Sequence, residues 1–263
     1  MKKNTNIILV LIIICLLGGS YCFGGDKDKI FSVDNLVVKV QDVMGVPTFV
    51  ISRGPSAGFA PFVRPCFETY VPELKYFQQF AESGTQLFSF NTNAAACDYG
   101  HSKPTWIDVN TWDYSHFDML MERVLQAKQN AMVMPRINLG TPKWWLDANP
   151  DELEILDDGS MLYKQPNRNP TLPPDRPFPS IVSEKWRNDM GNALRKFLTH
   201  VEEKGYNKHI FGYFIAGLDT EEWYHWSSGS DQLQGYSVHM EKAFRQWLRR
   251  KYADNQTLQA VWN

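Results

Sequence analysis

Cysteine is scarce in this sequence, four in 263 residues. Of these, Cys66 and Cys97 keep no metal-ligand spacing with histidine, so no zinc site is expected. A glycine-rich phosphate loop is also missing after the first predicted strand, which argues against a dinucleotide fold. Charge of one sign is lacking too. The formal net charge is −2, acids and bases are interspersed, and without a basic stripe nucleic acid is not an expected partner. No motif asks for a metal or organic cofactor.

What is abundant is apolar and aromatic surface: 43% hydrophobic and 14% aromatic residues, with nine tryptophans. That supplies a core and sets the chain apart from disordered sequences. Exposed indoles also serve sugar stacking, although most tryptophans pack.

The N-terminus reads as an export signal. Lys2 and Lys3 precede an apolar run over residues 7–17 that is too short for a stable membrane helix. Small residues Gly18, Gly19 and Ser20 follow, then Tyr21 and Cys22. Acylation of Cys22 is the alternative that would tie the chain to a membrane, although Tyr21 stands where a lipobox has a small residue. The expected location is periplasmic, cell-surface or secreted. Once residues 1–22 are removed, Cys66 and Cys97 remain, as one disulfide or as two buried thiols.

Residues 31–55 alternate like a hairpin, and residues 23–56 are expected to form a leading hairpin region. A strand-then-helix theme occupies residues 57–263. Strands are predicted at 59–63, 86–90, 131–136 and 209–215. Helices are predicted at 72–83, 114–128, 186–203 and 238–252. The second helix places Phe117, Leu120, Met121, Val124 and Leu125 on one stripe; the last turns Ala243, Phe244, Trp247 and Leu248 inward. Such alternation predicts a parallel sheet with helical crossovers. The long aromatic loops follow strand C-termini, where barrel enzymes build their sites.

The fourth strand runs into Ala216-Gly-Leu-Asp-Thr-Glu-Glu-Trp-Tyr-His-Trp226. A retaining glycosidase needs one carboxyl group protonated near neutral pH and a second, ionised one about 5–5.5 Å away. Neighbours on an extended strand point to opposite sides, so Glu221 and Glu222 cannot be that pair; one faces the site. A wall from Trp223 or Trp226 would disfavour the ionised form of the acid. Arg136 and Asn138 past the third strand, and Asn91 with Asn93 past the second, are candidates for sugar hydroxyls; a structural ion pair and loop capping are their alternatives. Trp144 and Trp145 offer a stacking wall, with one of them expected in the core. His225 binds substrate or satisfies a loop carbonyl.

Three stretches resemble glycoside hydrolase family 42, the retaining β-galactosidases of clan A. These are Met134-Pro-Arg-Ile137 with Thr141-Pro-Lys-Trp-Trp-Leu-Asp-Ala-Asn-Pro-Asp-Glu152, Trp112-Asp-Tyr-Ser-His-Phe-Asp118, and Lys242-Ala-Phe-Arg-Gln-Trp-Leu-Arg-Arg-Lys-Tyr252 with Thr257-Leu-Gln-Ala-Val-Trp262. The resemblance runs from about Val46 onward. It implies a (β/α)8 TIM barrel, here truncated after about four βα units. It also implies Glu221 as general acid/base, with Glu222 the alternate, and carbohydrate as substrate. In that family the fourth strand ends in Asn-Glu, and Thr220 stands here where the Asn would be. The family's nucleophilic Glu closes the seventh strand, which four βα units do not reach. The competing expectations are a carbohydrate-binding remnant, and a half-barrel that forms a homo-oligomer or is completed by a partner chain.

Overall fold

The computed structural model describes residues 36–53, 66–96, 103–161, 177–218, 223 and 233–262. The chain divides into two compact units. One takes in residues 1–92, 115–137 and 198–215; the other takes in 93–114, 138–197 and 216–263.

Unit 1 begins with the expected hairpin, β1 (Leu36–Val43) and β2 (Val46–Arg53), antiparallel with Val43 opposite Val46. Its two-residue turn requires positive φ at both positions, and Met44 and Gly45 adopt +54° and +82°. Asp42 Oδ1 accepts the Gly45 N–H at 2.7 Å and locks the turn.

The main sheet runs β3 (Cys66–Thr69), β4 (Leu87–Asn93), β8 (Arg136–Asn138), β9 (Phe214–Ala216), with β7 (Met132–Val133) also paired to β4. β3 and β7 both run parallel to β4. The strand expected at residues 59–63 lies outside the described residues, and β3 was not anticipated. The third predicted strand is observed as two pieces, β7 and β8, because Pro135 has no N–H to give the ladder. The same proline explains why the fourth is shorter than predicted. Phe211 N–H reaches the Val133 carbonyl and Phe214 N–H the Pro135 carbonyl, both at 3.1 Å, and regular pairing begins only at Phe214.

Two helices cover one face of this sheet. α1 (Leu74–Glu82) buries Phe77 and Ala81, and α2 (Ser115–Ala127) buries Phe117, Leu120, Met121 and Val124 at the predicted helical spacing. Phe77 meets Phe88 and Phe90 at 5.9 and 6.5 Å, and Phe90 meets Phe117 at 6.2 Å. Phe80 is half exposed and stacks on Phe67 at 3.8 Å. Cys66 is a free, exposed thiol at the start of an edge strand, so neither a disulfide nor a buried thiol is found there. Cys97 lies outside the described residues.

Unit 2 contains two elements that sequence reading left as loop: the hairpin β5 (Trp106–Asp108) with β6 (Thr111–Trp112), and α3 (Lys143–Ala148). α4 (Glu184–Glu203) starts in unit 2, where Ser183 Oγ accepts the Trp186 N–H at 2.9 Å; its residues from 198 on belong to unit 1, and it ends at Gly205, whose φ is +70°. The core joins Trp106, Trp145, Leu146, Leu153, Leu156, Phe178, Trp186, Met190 and Leu218. α5 (Val238–Lys251) and α6 (Asn255–Trp262) close the described chain. The inward stripe expected of α5 is not observed: Phe244 and Trp247 are 46% and 40% exposed and pair with each other at 5.8 Å. Helical spacing defines a stripe but not what covers it. Among the described residues no helix is long and apolar enough to cross a membrane.

Candidate active site

Strand alternation decides which side chains leave the helix-covered face. In unit 1, Phe88 and Phe90 of β4 turn toward Phe77 and Phe117, so Ser89 and Asn91 take the opposite face. Asn91 is only 7% exposed, and neither of its amide atoms has a hydrogen-bond partner. A buried amide left so costs about 1–3 kcal/mol. Arg136 on β8 donates from Nη1 to the Tyr70 hydroxyl at 2.5 Å. Its guanidinium carbon also lies 5.7 and 5.3 Å from the Tyr70 and Phe214 ring centres. Two aromatic rings therefore orient a delocalised cation, an arrangement lysine would not reproduce.

In unit 2, Asn93 and Asn138 meet. Asn138 Nδ2 donates to Asn93 Oδ1 at 3.4 Å, and Ala94 N–H donates to the Asn138 carbonyl at 3.0 Å. Asn93 is committed to structure, because its Nδ2 donates to the Lys103 carbonyl and its own carbonyl receives the Thr105 hydroxyl. Asn138 is different: it is 1% exposed and its Oδ1 has no partner, so it can accept from a hydroxyl.

The chain then enters the acid-bearing segment. Leu139 N–H bonds the Ala216 carbonyl at 3.0 Å, and Trp223 N–H returns to the Gly217 carbonyl at 3.0 Å. Leu218 and Trp223, both bulky, adopt φ of +61° and +63°. Left-handed backbone at such residues is strained and persists only where packing enforces it. Leu218 belongs to the unit 2 core and Trp223 packs on it. The Trp223 ring lies over Gly217, 3.4 Å from where a Cβ there would stand, an ordinary van der Waals contact. Glu221, Glu222, His225 and Trp226 lie outside the described residues.

Of the tandem tryptophans, the structure removes Trp145 from any stacking wall. It is 1% exposed and its Nε1 donates to Asp189 Oδ2 at 2.8 Å, so no ring face is left for a sugar. Trp144 is half-buried; its Nε1 reaches the Trp106 carbonyl at 3.3 Å, and Trp106 stacks on Trp112 at 4.9 Å. Sequence reading missed Glu152 and Glu154. Glu154 is fully buried and accepts the Gly235 N–H at 2.6 Å, and Glu152 Oε2 accepts the Ser183 hydroxyl and meets His239 Nε2 at 3.1 Å. The alternation Glu-Leu-Glu-Ile-Leu over residues 152–156 was the available signal that this acidic stretch runs extended.

A family model described as beta-galactosidase, that of glycoside hydrolase family 42, matches residues 108–263. Among curated proteins none matches the chain. Among solved structures, the catalytic domain of β-amylase from Paenibacillus polymyxa is similar at TM-score 0.52 and 16% identity, over 75% of this chain and 49% of that one. The β-galactosidase from the psychrophilic Marinomonas ef1 is similar at TM-score 0.50 and 16% identity, over 75% of this chain and 26% of that one. The chain thus spans about half the length of the first and about a quarter of the second. At that identity the likeness establishes the fold, the α/β (β/α)8 type of the glycosidases, of which the described strands form part. With the family match extending over more than half its residues, the chain belongs to glycoside hydrolase family 42.

Proposed function

We propose that the chain contributes the sugar-binding and acid/base side of a retaining β-glycosidase, β-galactosidase-like in its preference, acting on oligo- or polysaccharides. The observation that carries this reading is the family match over residues 108–263, which takes in both Glu221 and the strand end leading to it. Support comes from the buried Asn138 with an unused acceptor, and from Trp223, next in sequence to Glu222, folded onto Gly217.

In this reading Glu221 protonates the departing glycosidic oxygen while a carboxylate supplied from beyond these strands attacks the anomeric carbon. The same Glu221, now ionised, then takes a proton from the water that hydrolyses the glycosyl–enzyme bond. Glu222 is the alternate. Asn138, Asn91 and Arg136 are proposed to bond sugar hydroxyls, and Trp223 and Trp226 to stack on apolar sugar faces; the stacking role proposed for the tandem pair passes from Trp145 to Trp144. Export through residues 1–22 belongs to the same proposal. Asn-to-Thr replacement at residue 220 would relax recognition of the 2-hydroxyl.

Hydrolysis of aryl β-galactosides with good and poor leaving groups, by the protein together with the strands that supply the nucleophile, tests the assignment. Glu221→Gln is expected to slow the poor leaving group about 10²–10⁴-fold and the good one far less, with Glu222→Gln close to wild type. The reverse pattern would move the acid to Glu222. Equal losses on both substrates would end the acid/base reading. A second reading, carbohydrate binding without turnover, draws on the buried Asn138 with its unused acceptor. It predicts that Trp223→Ala weakens glycan binding while Glu221→Gln does not.

A further inference from the structure

α5 and α6, both in unit 2, present an aromatic face that the described residues leave half open. Phe244, Trp247 and Trp262 are 46%, 40% and 58% exposed. Their positions are nevertheless fixed. The Phe244 ring centre lies 5.8 Å from that of Trp247 and 6.2 Å from that of Trp262. Tyr252, itself buried, accepts the Trp262 indole N–H on its hydroxyl at 2.9 Å and meets Trp247 edge-on at 6.5 Å. Rings held this way offer contact area at little cost in conformational entropy.

The same surface is basic. α5 carries five lysines and arginines against the single acid Glu241, a net charge of +4 with histidine neutral, in a chain whose total is −2. Among the described residues only Arg245 of these five is ion-paired, to Glu241 at 2.5 Å. α6 has no charged residue to offset them. Cations in the last turn complement the helix dipole, but the dipole does not place a side chain over a ring. Lys251 Nζ lies 4.5 Å from the Trp247 ring centre and 5.3 Å from that of Tyr252. At about 100° per residue, Arg250 and Lys251 leave the helix on either side of Trp247.

Such a face fits a ligand that offers apolar ring faces and anionic groups together. A second copy of the chain fits poorly, because symmetric pairing would set two helices of the same positive charge against each other. A lipid surface fits poorly too, because an inserting helix keeps its apolar side clear of charge and Lys251 lies on the ring face. We propose that Phe244, Trp247, Trp262 and Lys251 form a docking surface for an acidic polysaccharide, its sugar rings against the aromatics and its carboxylates on Lys251 and Arg250. None of these residues belongs to the site proposed above, so the surface does not depend on the acid assignment.

Affinity electrophoresis and calorimetric titration of the whole chain with polygalacturonate test it. Wild type is expected to bind polygalacturonate at least about tenfold more tightly than neutral galactan. Trp247→Ala is expected to weaken that binding about tenfold or more, and Lys251→Gln about three- to tenfold. Lys251→Arg, which keeps the charge, and Trp223→Ala are expected to stay at wild-type affinity. Should the alanine variant at residue 247 fail to fold, Lys251→Gln, at an exposed position, carries the comparison. Absence of binding, equal affinity for galactan, indifference to both substitutions, or an equal loss in Trp223→Ala would overturn the proposal. So would a dimer in sedimentation that Trp247→Ala dissolves, or binding to phosphatidylglycerol vesicles that the same substitutions abolish while polygalacturonate binding persists. Loss of polygalacturonate binding once the strands that supply the nucleophile are present would show that they cover this face, and would overturn it equally.

Discussion

Replacing Trp145 by Phe separates a packing tryptophan from a sugar-stacking one. The indole is 1% exposed, and its N–H donates to Asp189 Oδ2 at 2.8 Å. Truncation to alanine at such a site typically costs about 3–5 kcal/mol. Phenylalanine keeps most of the ring and leaves a smaller void, roughly 1–2 kcal/mol. The lost hydrogen bond adds about 1 kcal/mol and no more. Asp189 keeps Lys185 Nζ at 2.9 Å and its side chain is 30% exposed, so the carboxylate rehydrates rather than standing buried and alone. The sum, about 2–3 kcal/mol, corresponds to a fall of roughly 4–10 °C in a calorimetric midpoint for a domain of this size. Glycan affinity, measured on the folded variant, is expected to be unchanged. A midpoint within a degree of wild type, or a folded variant that has lost sugar binding, would refute the reasoning and return Trp145 to the site.

Three further predictions concern individual side chains. Asn138→Ala is expected to change stability little, since it removes one long hydrogen bond together with a buried oxygen that has no partner, yet to weaken sugar binding. Asn93→Ala should do the opposite in urea unfolding, lowering stability by about 1–2 kcal/mol through loss of the bond to the Lys103 carbonyl. Asp254 precedes α6 and accepts the Thr257 N–H at 2.8 Å, and that bond holds its carboxyl below the ordinary value of 3.8. With the folded value depressed, its contribution is present above 3.8 and is lost as pH falls through the lower folded value. Amide exchange at Thr257 should accelerate across that acidic window, and Asp254→Asn should abolish the dependence.

The helices were largely legible because their stripes are long. Phe117, Leu120, Met121 and Val124 recur at helical spacing and are buried as that spacing demands. Short elements carry too few residues for a period to register. β5 and β6 have three and two residues, and their pairing is expressed mainly in Trp106 stacking on Trp112 across the hairpin. Trp144 and Trp145 illustrate a different limit: adjacent residues on a six-residue helix differ by about 100° in direction, and nothing local says which faces the core. In α5 the stripe was visible but its burial was not, because coverage depends on what lies opposite. Polar residues at strand ends were readable as Asn91, Arg136 and Asn138. That Asn93 braces a loop while Asn138 keeps an open acceptor depends on contacts ten and forty-five residues away. Glu154 escaped notice because acidic residues in a polar stretch ordinarily face water.

The most direct test of the account is a titration of the purified chain with a β-galactoside, read by tryptophan fluorescence, across wild type, Trp223→Ala, Asn138→Ala and Trp145→Phe. Saturable binding by wild type and by Trp145→Phe, weakened by about tenfold or more in Trp223→Ala and Asn138→Ala, is the predicted result. Absence of saturable binding in wild type, or binding indifferent to Trp223 and Asn138, would contradict a sugar site at these strand ends.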